Sequence, residues 1–267
     1  MLVGLSAGLT AQAYFVRYAS SPEPGYVFQQ QAAVLADALN TADEPVRVTG
    51  RLWDTFRSIR FLSPPKGNVR YYTDGDVLEP LDPPFSLYAW PYDGLTEALS
   101  IVPEGVQVTV EAGPESRSSD EETDTYPIWV AWHVEPLGSM PATLPAHFEG
   151  AGINLVAAEV TRSRDQVEVR LAWRIDGALP DPAPQMYVHV LGPDGNLVTQ
   201  ADAPPGGVFY PPSQWTAGSI VIQPVQLTVP PDADFTVTTG LYHPDSGDRY
   251  TPVTDREVVN NSVVLLP

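Results

Sequence analysis

No cysteine occurs in the chain. That absence excludes a disulfide scaffold, a zinc–thiolate site and a cysteine nucleophile together, and leaves the compartment open. Lysine is nearly missing as well, with Lys66 alone beside thirteen arginines. Fourteen basic side chains face 33 acidic ones, so the formal charge is −19 and the sequence pI about 4.3. A basic face for nucleic acid or anionic lipid is therefore not expected. The imbalance is uneven: residues 1–100 carry a net −4 and residues 101–267 a net −15. Such a surface reads as solubility rather than as a site for a cationic partner. The four histidines (His133, His147, His189 and His243) are dispersed, with no H-x-x-x-H or H-E-x-x-H pair. A zinc enzyme thus has no support. Nor does the chain contain a G-x-S-x-G elbow, a phosphate-binding glycine loop or a dinucleotide fingerprint.

What is present points to a folded, turn-rich protein. The 267 residues are 43% hydrophobic, enough for one large core or two ordinary ones. Twenty-nine prolines and 20 glycines are scattered rather than clustered, which suits short strands and many turns. Met1–Val16 is an uncharged apolar run, shorter than the ~20 residues a bilayer span needs. Three readings compete for it. It can be the end of a membrane helix that starts upstream, a signal peptide with Ala11-Gln12-Ala13 as its small-x-small site, or a buried helix. Gly4, Ser6, Ala7 and Gly8, with an exit through Tyr14, Phe15, Arg17 and Tyr18, favour the membrane helix, then the signal peptide. Both place the rest of the chain outside the cytoplasm, at the cell membrane or secreted.

Beyond it, the expected class is α+β. Residues 1–20 form the hydrophobic helix, 21–137 a small α/β domain, 138–146 a linker, and 147–267 an antiparallel β-sandwich of immunoglobulin or jelly-roll type. In the first domain, helical spacing marks Tyr26–Asn40, Leu52–Leu62 and Tyr92–Ile101, with Asp93 as an N-cap. Strands are expected at Pro45–Gly50, Val69–Thr73 and Phe85–Trp90, and a closing pair at Val106–Ala112 and Pro127–Glu135. Between the last two lies an acidic loop, Glu115–Asp124, read as a solvated hairpin tip rather than a calcium site. Pro136–Pro145 is the clearest linker. After it come about eight strand-like runs: Ile153–Thr161, Gln166–Ile175, Met186–Leu191, Asn196–Ala201, Ile220–Val229, Asp234–Tyr242, a return from Tyr250, and Val258–Leu266.

Candidate sites are few. Asp74-Gly75-Asp76 has the acidic-x-acidic form that some sugar-nucleotide transferases use for a divalent metal, yet it also fits a turn. Asp232-Ala233-Asp234 is weaker. Carboxylates are too numerous for a glycosidase pair to be chosen. Trp129 and Trp173 lie in alternating strands and belong to the core. Trp215, in YPPSQW, can be an aromatic sugar platform or a lid packed over the sandwich end, and packing is preferred. No catalytic, cofactor-binding or metal residue is assigned; glycan contact is assigned only to Trp215, Tyr210 and Tyr242.

Several stretches carry a resemblance. His189–Gly207 (HVLGPDGNLVTQADAPPGG), Tyr210–Val221 (YPPSQWTAGSIV) and Gly240–Tyr250 (GLYHPDSGDRY) follow one another in order. They resemble the sandwich at the C-terminal, extracytoplasmic end of bacterial polytopic glycosyltransferases similar to protein mannosyltransferases (glycosyltransferase family 39). LNTADEPVRVTGRLWD, FLSPP and LYAWPYD are similar to the region between the last membrane helix and that sandwich. His243 stands where the family has an acidic residue and Ser246 where it has Thr. The family's catalytic carboxylates lie in a loop near its first membrane helices, which this chain does not contain, so none can be carried over. The resemblance implies an accessory region with no chemistry or cofactor of its own. It would contact the membrane through the N-terminal helix, and a glycan or lipid-linked sugar through its folded part. The alternative is an exported carbohydrate- or surface-binding sandwich protein. A third reading, an independent enzyme using Asp74 and Asp76, ranks well behind. Local chemistry makes Pro244-Asp245-Ser246-Gly247 a hairpin turn, with Asp248 and Arg249 as a weak ion pair beside it.

Overall fold

The computed structural model describes residues 12, 30–64, 67–73, 76–92, 94–116, 126–138 and 146–266. The N-terminal hydrophobic run apart from residue 12, Asp74 and Gly75, Asp93, most of the acidic loop and most of the linker lie outside these residues. Among the described residues no helix is long and apolar enough to cross a membrane. The chain is β-rich α+β and divides into two compact units. The first comprises Met1–Glu79, Pro84–Ile101 and Glu111–Trp132; the second comprises Pro80–Pro83, Val102–Val110 and His133–Pro267.

The first unit begins with α1 (Gln30–Thr41), β1 (Val46–Val48), α2 (Gly50–Thr55) and α3 (Arg57–Leu62). Then come β2 (Val69–Tyr71), β3 (Phe85–Ala89) and α4 (Leu95–Leu99). Helix α1 buries Ala32, Leu35, Ala36 and Leu39, one face at helical spacing. Against it pack Val46, Val48, Ile59 and Val69 in a single cluster. Both Val46–Val48 and its neighbours run parallel: β1 pairs with β2 and with β3, giving the local order β2-β1-β3. The single helix expected over Leu52–Leu62 is two. Phe56 breaks it at φ −99, ψ 82, and its ring stacks on Trp90 at 5.8 Å. Packing of one aromatic has overridden local helical preference.

Strands β4 (Val106–Ala112), β5 (Glu115–Ser116), β6 (Tyr126–Pro127) and β7 (Val130–Pro136) follow. Gly113 N–H donates to the Trp129 carbonyl at 2.9 Å, and a Cβ on Gly113 would come within 2.4 Å of the Trp129 indole. That close approach requires glycine. Trp129 Nε1 in turn donates to the Gln31 carbonyl at 3.2 Å, so the buried indole is satisfied.

The second unit is sandwich-like. One sheet contains β8 (Ala146–Phe148), β9 (Ile153–Ser163) and β10 (Gln166–Ile175). The other holds β11 (Gln185–Leu191) and β12 (Leu197–Ala203). Next in the chain are β13 (Ile220–Thr228) in the first sheet and β14 (Thr236–Tyr242) in the second. The short β15 (Pro252–Val253) joins the first; β16 (Val258–Val259) and β17 (Ser262–Leu266) complete the second. Alternation in β10 turns Val167, Val169, Leu171 and Trp173 into one core with Met186, Val188, Val190, Val237 and Leu241 of the facing sheet. Fully burying Trp173 contributes on the order of 5 kcal/mol of transfer free energy. Two expectations are corrected. The first sheet is mixed, because β13 pairs with the Gln107–Thr109 stretch of β4 in parallel. Val258–Leu266 is not one strand but a hairpin turning at Asn260 and Asn261, both left-handed at φ 50 and 58. Two adjacent residues at positive φ are what a tight primed hairpin turn demands, and Asn tolerates them.

Candidate functional site

The order β2-β1-β3 has a geometric consequence in the first unit. From β1 the chain moves outward to β2 and then returns past β1 to β3. The connections therefore leave in opposite directions between β1 and β3, and a crevice opens at the carboxyl ends of those strands. This is the place where parallel sheets bind ligands. A cavity of about 310 Å³ lies there. From the end of β1 come Thr49, Gly50 and Arg51; from the end of β2, Tyr72, Thr73 and Asp76; from the end of β3, Ala89 and Trp90; Glu97 and Ala98 of α4 complete it.

The strand ends are drawn together by backbone bonds that continue the ladders. Thr49 N–H donates to the Tyr88 carbonyl at 2.9 Å and Tyr72 N–H to the Val48 carbonyl at 3.0 Å. Arg51 lies with its guanidinium 5.5 Å from the Trp90 ring centroid. Trp90 also meets Tyr92 edge-on at 5.5 Å, and Tyr92 meets Tyr126 at 6.0 Å. Trp90, backed by Phe56 and Tyr92, is thus an aromatic part of the lining, and its face holds the cation. Asp76 Oδ2 accepts the Thr73 backbone N–H at 2.8 Å and the Thr73 hydroxyl at 2.7 Å. These two bonds, helped by Arg70, hold its carboxyl below the usual carboxylate range. Oδ1 keeps its acceptor capacity. Tyr72 is 3% exposed, and its buried hydroxyl has no hydrogen-bond partner among the described residues. An unpaired buried hydroxyl carries a penalty of about 1–3 kcal/mol that a bound polar group can relieve. The cavity therefore combines an apolar wall, one guanidinium, two carboxylates and three hydroxyls.

The residues singled out in the sequence lie elsewhere. Tyr210 and Trp215 come together at 6.4 Å, and Trp215 Nε1 donates to the Tyr210 carbonyl at 2.7 Å. Tyr210 is fully buried, which pushes its phenol up to about 12. Trp215 packs on the sandwich core, and its indole would lie 2.9 Å from a Cβ on Gly206. Tyr242 belongs to a different group, 6.2 Å from Tyr187, with its phenol raised by burial and by Asp202. Of Asp74 and Asp76, only Asp76 is described, and it serves the Thr73 turn and the cavity rim. No group of three metal-ligating side chains comes together among the described residues.

No family model matches the chain. No curated protein matches it either. Among solved structures, β-glucuronidase 2 of Bacteroides uniformis is similar over 51% of this chain and 16% of its own, at 15% identity and a TM-score of 0.26. An endonuclease/exonuclease/phosphatase from Beutenbergia cavernae is similar over 55% of this chain and 34% of its own, at 12% identity and a TM-score of 0.26. Likenesses this slight carry no functional argument.

The turn at Gly240–Tyr250 is a hairpin. Gly247 N–H donates to the His243 carbonyl at 2.8 Å, His243 N–H to the Asp248 carbonyl at 2.9 Å, and Gly247 sits at φ 75. Arg249 does not depend on a neighbouring carboxylate for its place. Its guanidinium lies 4.7 Å from the Tyr187 ring centroid and donates to the Asn260 carbonyl at 2.8 Å. The arginine thus ties this turn to the Asn260–Asn261 turn. Sequence reasoning missed Thr49, Arg51, Tyr72, Trp90 and Glu97. The available signal was three short strands, each followed at once by a polar or aromatic residue.

Proposed function

We propose that this chain is a non-catalytic, extracytoplasmic part of a membrane glycosyltransferase that draws on a lipid-phosphate-linked sugar, and that it helps place acceptor or glycan. In this reading its second unit is an immunoglobulin- or jelly-roll-like sandwich and its first a small α/β domain. The single observation that carries the placing role is the cavity at the carboxyl ends of β1, β2 and β3, where hydrogen-bonding groups of both senses meet an apolar wall. Such a mixture suits polyhydroxyl ligands. The motifs that carry the family resemblance support the assignment in another way. They fold as turns and packing contacts, which are properties of a framework rather than of a reaction centre.

The test is fractionation of the source cells with an antibody raised against the 267-residue chain. The expected antigen is in the membrane fraction, well above 29.0 kDa, and cleaved by protease added outside the cell. A 29.0 kDa species in the cytosol refutes the reading.

A further inference from the structure

Four features of the first-unit cavity fix what it can hold. Its size, about 310 Å³, is at the small end of ligand pockets, which run from roughly 300 to 1,000 Å³. One sugar ring fills such a space and a chain of rings does not. Its charge is the second feature: Asp76 and Glu97 outnumber Arg51, so the described lining residues carry a formal −1. Asp76 stays ionised at neutral pH because Thr73 holds its carboxylate. A phosphate entering here meets two like charges for one opposite one. The third is hydrogen-bonding sense. Carboxylates only accept and guanidinium only donates, whereas hydroxyls do both. A ligand that satisfies all of them must itself donate and accept, as vicinal hydroxyls do. The fourth is Tyr72, which lines the same space, is 3% exposed, and has a buried hydroxyl with no hydrogen-bond partner among the described residues. Trp90, Leu78, Ala89 and Ala98 provide the apolar side against which ring C–H groups can lie.

We infer that this cavity binds one neutral sugar ring and discriminates against its phosphorylated form. Carboxylates Asp76 and Glu97 accept ring hydroxyls, Arg51 donates to a ring oxygen, and Tyr72 completes its hydrogen bonding on the ligand. Calling that ring the acceptor side of a transfer, rather than the phosphate-linked donor, rests on the function proposed above; the binding itself does not.

The experiment uses the intact chain, titrated in low salt with neutral methyl hexopyranosides (gluco, manno and galacto) and separately with the corresponding hexose 1-phosphates. Binding is read from the indole N–H resonance of Trp90, assigned by its loss in Trp90→Phe. At least one neutral glycoside is expected to shift it with a Kd in the millimolar range, as suits a ligand of that size. The matching 1-phosphate is expected to bind at least tenfold more weakly. Tyr72→Phe and Glu97→Gln, which keep the shape of the cavity, are expected to weaken the neutral glycoside tenfold or more. A phosphate that binds as tightly as its neutral parent overturns the inference. So does the absence of any shift across the panel, or full binding retained in both variants. None of these outcomes bears on the membrane location of the chain, so the two proposals fail separately.

Discussion

Gly240→Ala probes the feature that most resembles a family motif. Gly240 opens GLYHPDSGDRY and lies opposite Tyr187 in the β11–β14 pair. A Cβ there would stand 2.3 Å from the Tyr187 hydroxyl, 2.6 Å from Cζ and 2.9 Å from Cε1. Ordinary carbon contacts begin near 3.5 Å, so the ring tip must retreat by about 1 Å. Tyr187 has little room to do so, being 1% exposed. Its hydroxyl bonds Ser262 Oγ at 2.8 Å and the Asn261 carbonyl at 3.2 Å. A retreat of that size breaks both and strands a buried hydroxyl, a loss of about 1–3 kcal/mol. Overpacking adds about 1–3 kcal/mol. Loss of glycine's freedom in the unfolded chain offsets about 0.5–1 kcal/mol. The net expectation is a destabilisation of about 3 kcal/mol.

A background series isolates the cause. In Tyr187→Phe the hydroxyl is gone but Cζ remains 2.6 Å away, so Gly240→Ala should cost about 1–2 kcal/mol. In Tyr187→Ala the obstruction is gone, and the same substitution should be neutral or slightly stabilising. Amide exchange in β11 and β14 gives the local opening free energies. An equal cost in all three backgrounds refutes the steric argument and leaves the conformation of the β14 backbone as the reason for glycine.

Trp215→Ala should lower the stability of the second unit by about 2–3 kcal/mol in urea unfolding, since it removes half-buried packing and the bond to the Tyr210 carbonyl; glycoside binding in the first unit should be unchanged, and its loss would move the sugar site to the sandwich. Tyr88 and Tyr210 are each pushed up to about 12, chiefly by burial, from the ordinary 10.0. A raised folded value means that the folded state holds its proton more tightly. The contribution, on the order of 3 kcal/mol per tyrosine, is complete below pH 10 and is lost between pH 10 and 12. Tyrosinate absorbance in a pH titration should show these two phenols ionising with unfolding, and a reversible ionisation near pH 10 with the fold intact would contradict their burial. Asp176 is held below its usual range first by its bonds from Arg174, with Asn154 and His147 adding to this; its stabilising effect is present above the ordinary carboxylate value and disappears as pH falls through the lowered one, so Asp176→Asn should flatten the acid limb of the stability curve. Asn261→Gly relieves a non-glycine residue at φ 58 and should stabilise the β16–β17 hairpin by several tenths of a kcal/mol, read as slower exchange in β17.

Much of the second unit was legible because its strands alternate. Gln166–Ile175 was bounded correctly from Val167, Val169, Leu171 and Trp173 alone, since half-buried strands repeat every second residue. Gly192-Pro193-Asp194-Gly195 turns the chain between β11 and β12 by local chemistry: Gly195 takes φ 76, and Asp194 accepts from the Asn196 backbone. The misreadings have physical causes. Asn260-Asn261 does interrupt an otherwise apolar run, but the strands on either side are two and five residues long, too short for alternation to mark them as separate. The break at Phe56 depends on a stack with Trp90, 34 positions further on, which no local window contains. The parallel partner of β13 lies more than a hundred residues earlier, at Gln107–Thr109.

The cavity and the motif teach opposite lessons about function. GLYHPDSGDRY is recognisable because a turn needs particular residues at adjacent positions: proline to preset φ, glycine to reverse it, and Gly240 to admit Tyr187. Those demands are local, so they write a pattern in the sequence whatever the protein does. Thr49, Tyr72, Asp76, Trp90 and Glu97 are spread over 49 positions and meet only because β1, β2 and β3 end together. Thr49, Tyr72 and Trp90 follow three different strands, Asp76 lies in the loop after β2 and Glu97 lies in α4, and the spacing between these elements is constrained only through the fold. A binding site built at strand ends therefore leaves no contiguous trace, while the frame around it does. It follows that the glycine and turn substitutions above should change stability without changing sugar preference, and that Glu97→Gln should do the reverse. Tyr72→Phe should weaken sugar binding while stabilising the free chain by about 1–3 kcal/mol through loss of an unpaired buried hydroxyl. If instead Gly240→Ala altered the neutral-to-phosphate discrimination by more than about threefold while the chain remained folded, the division between frame and site would fail.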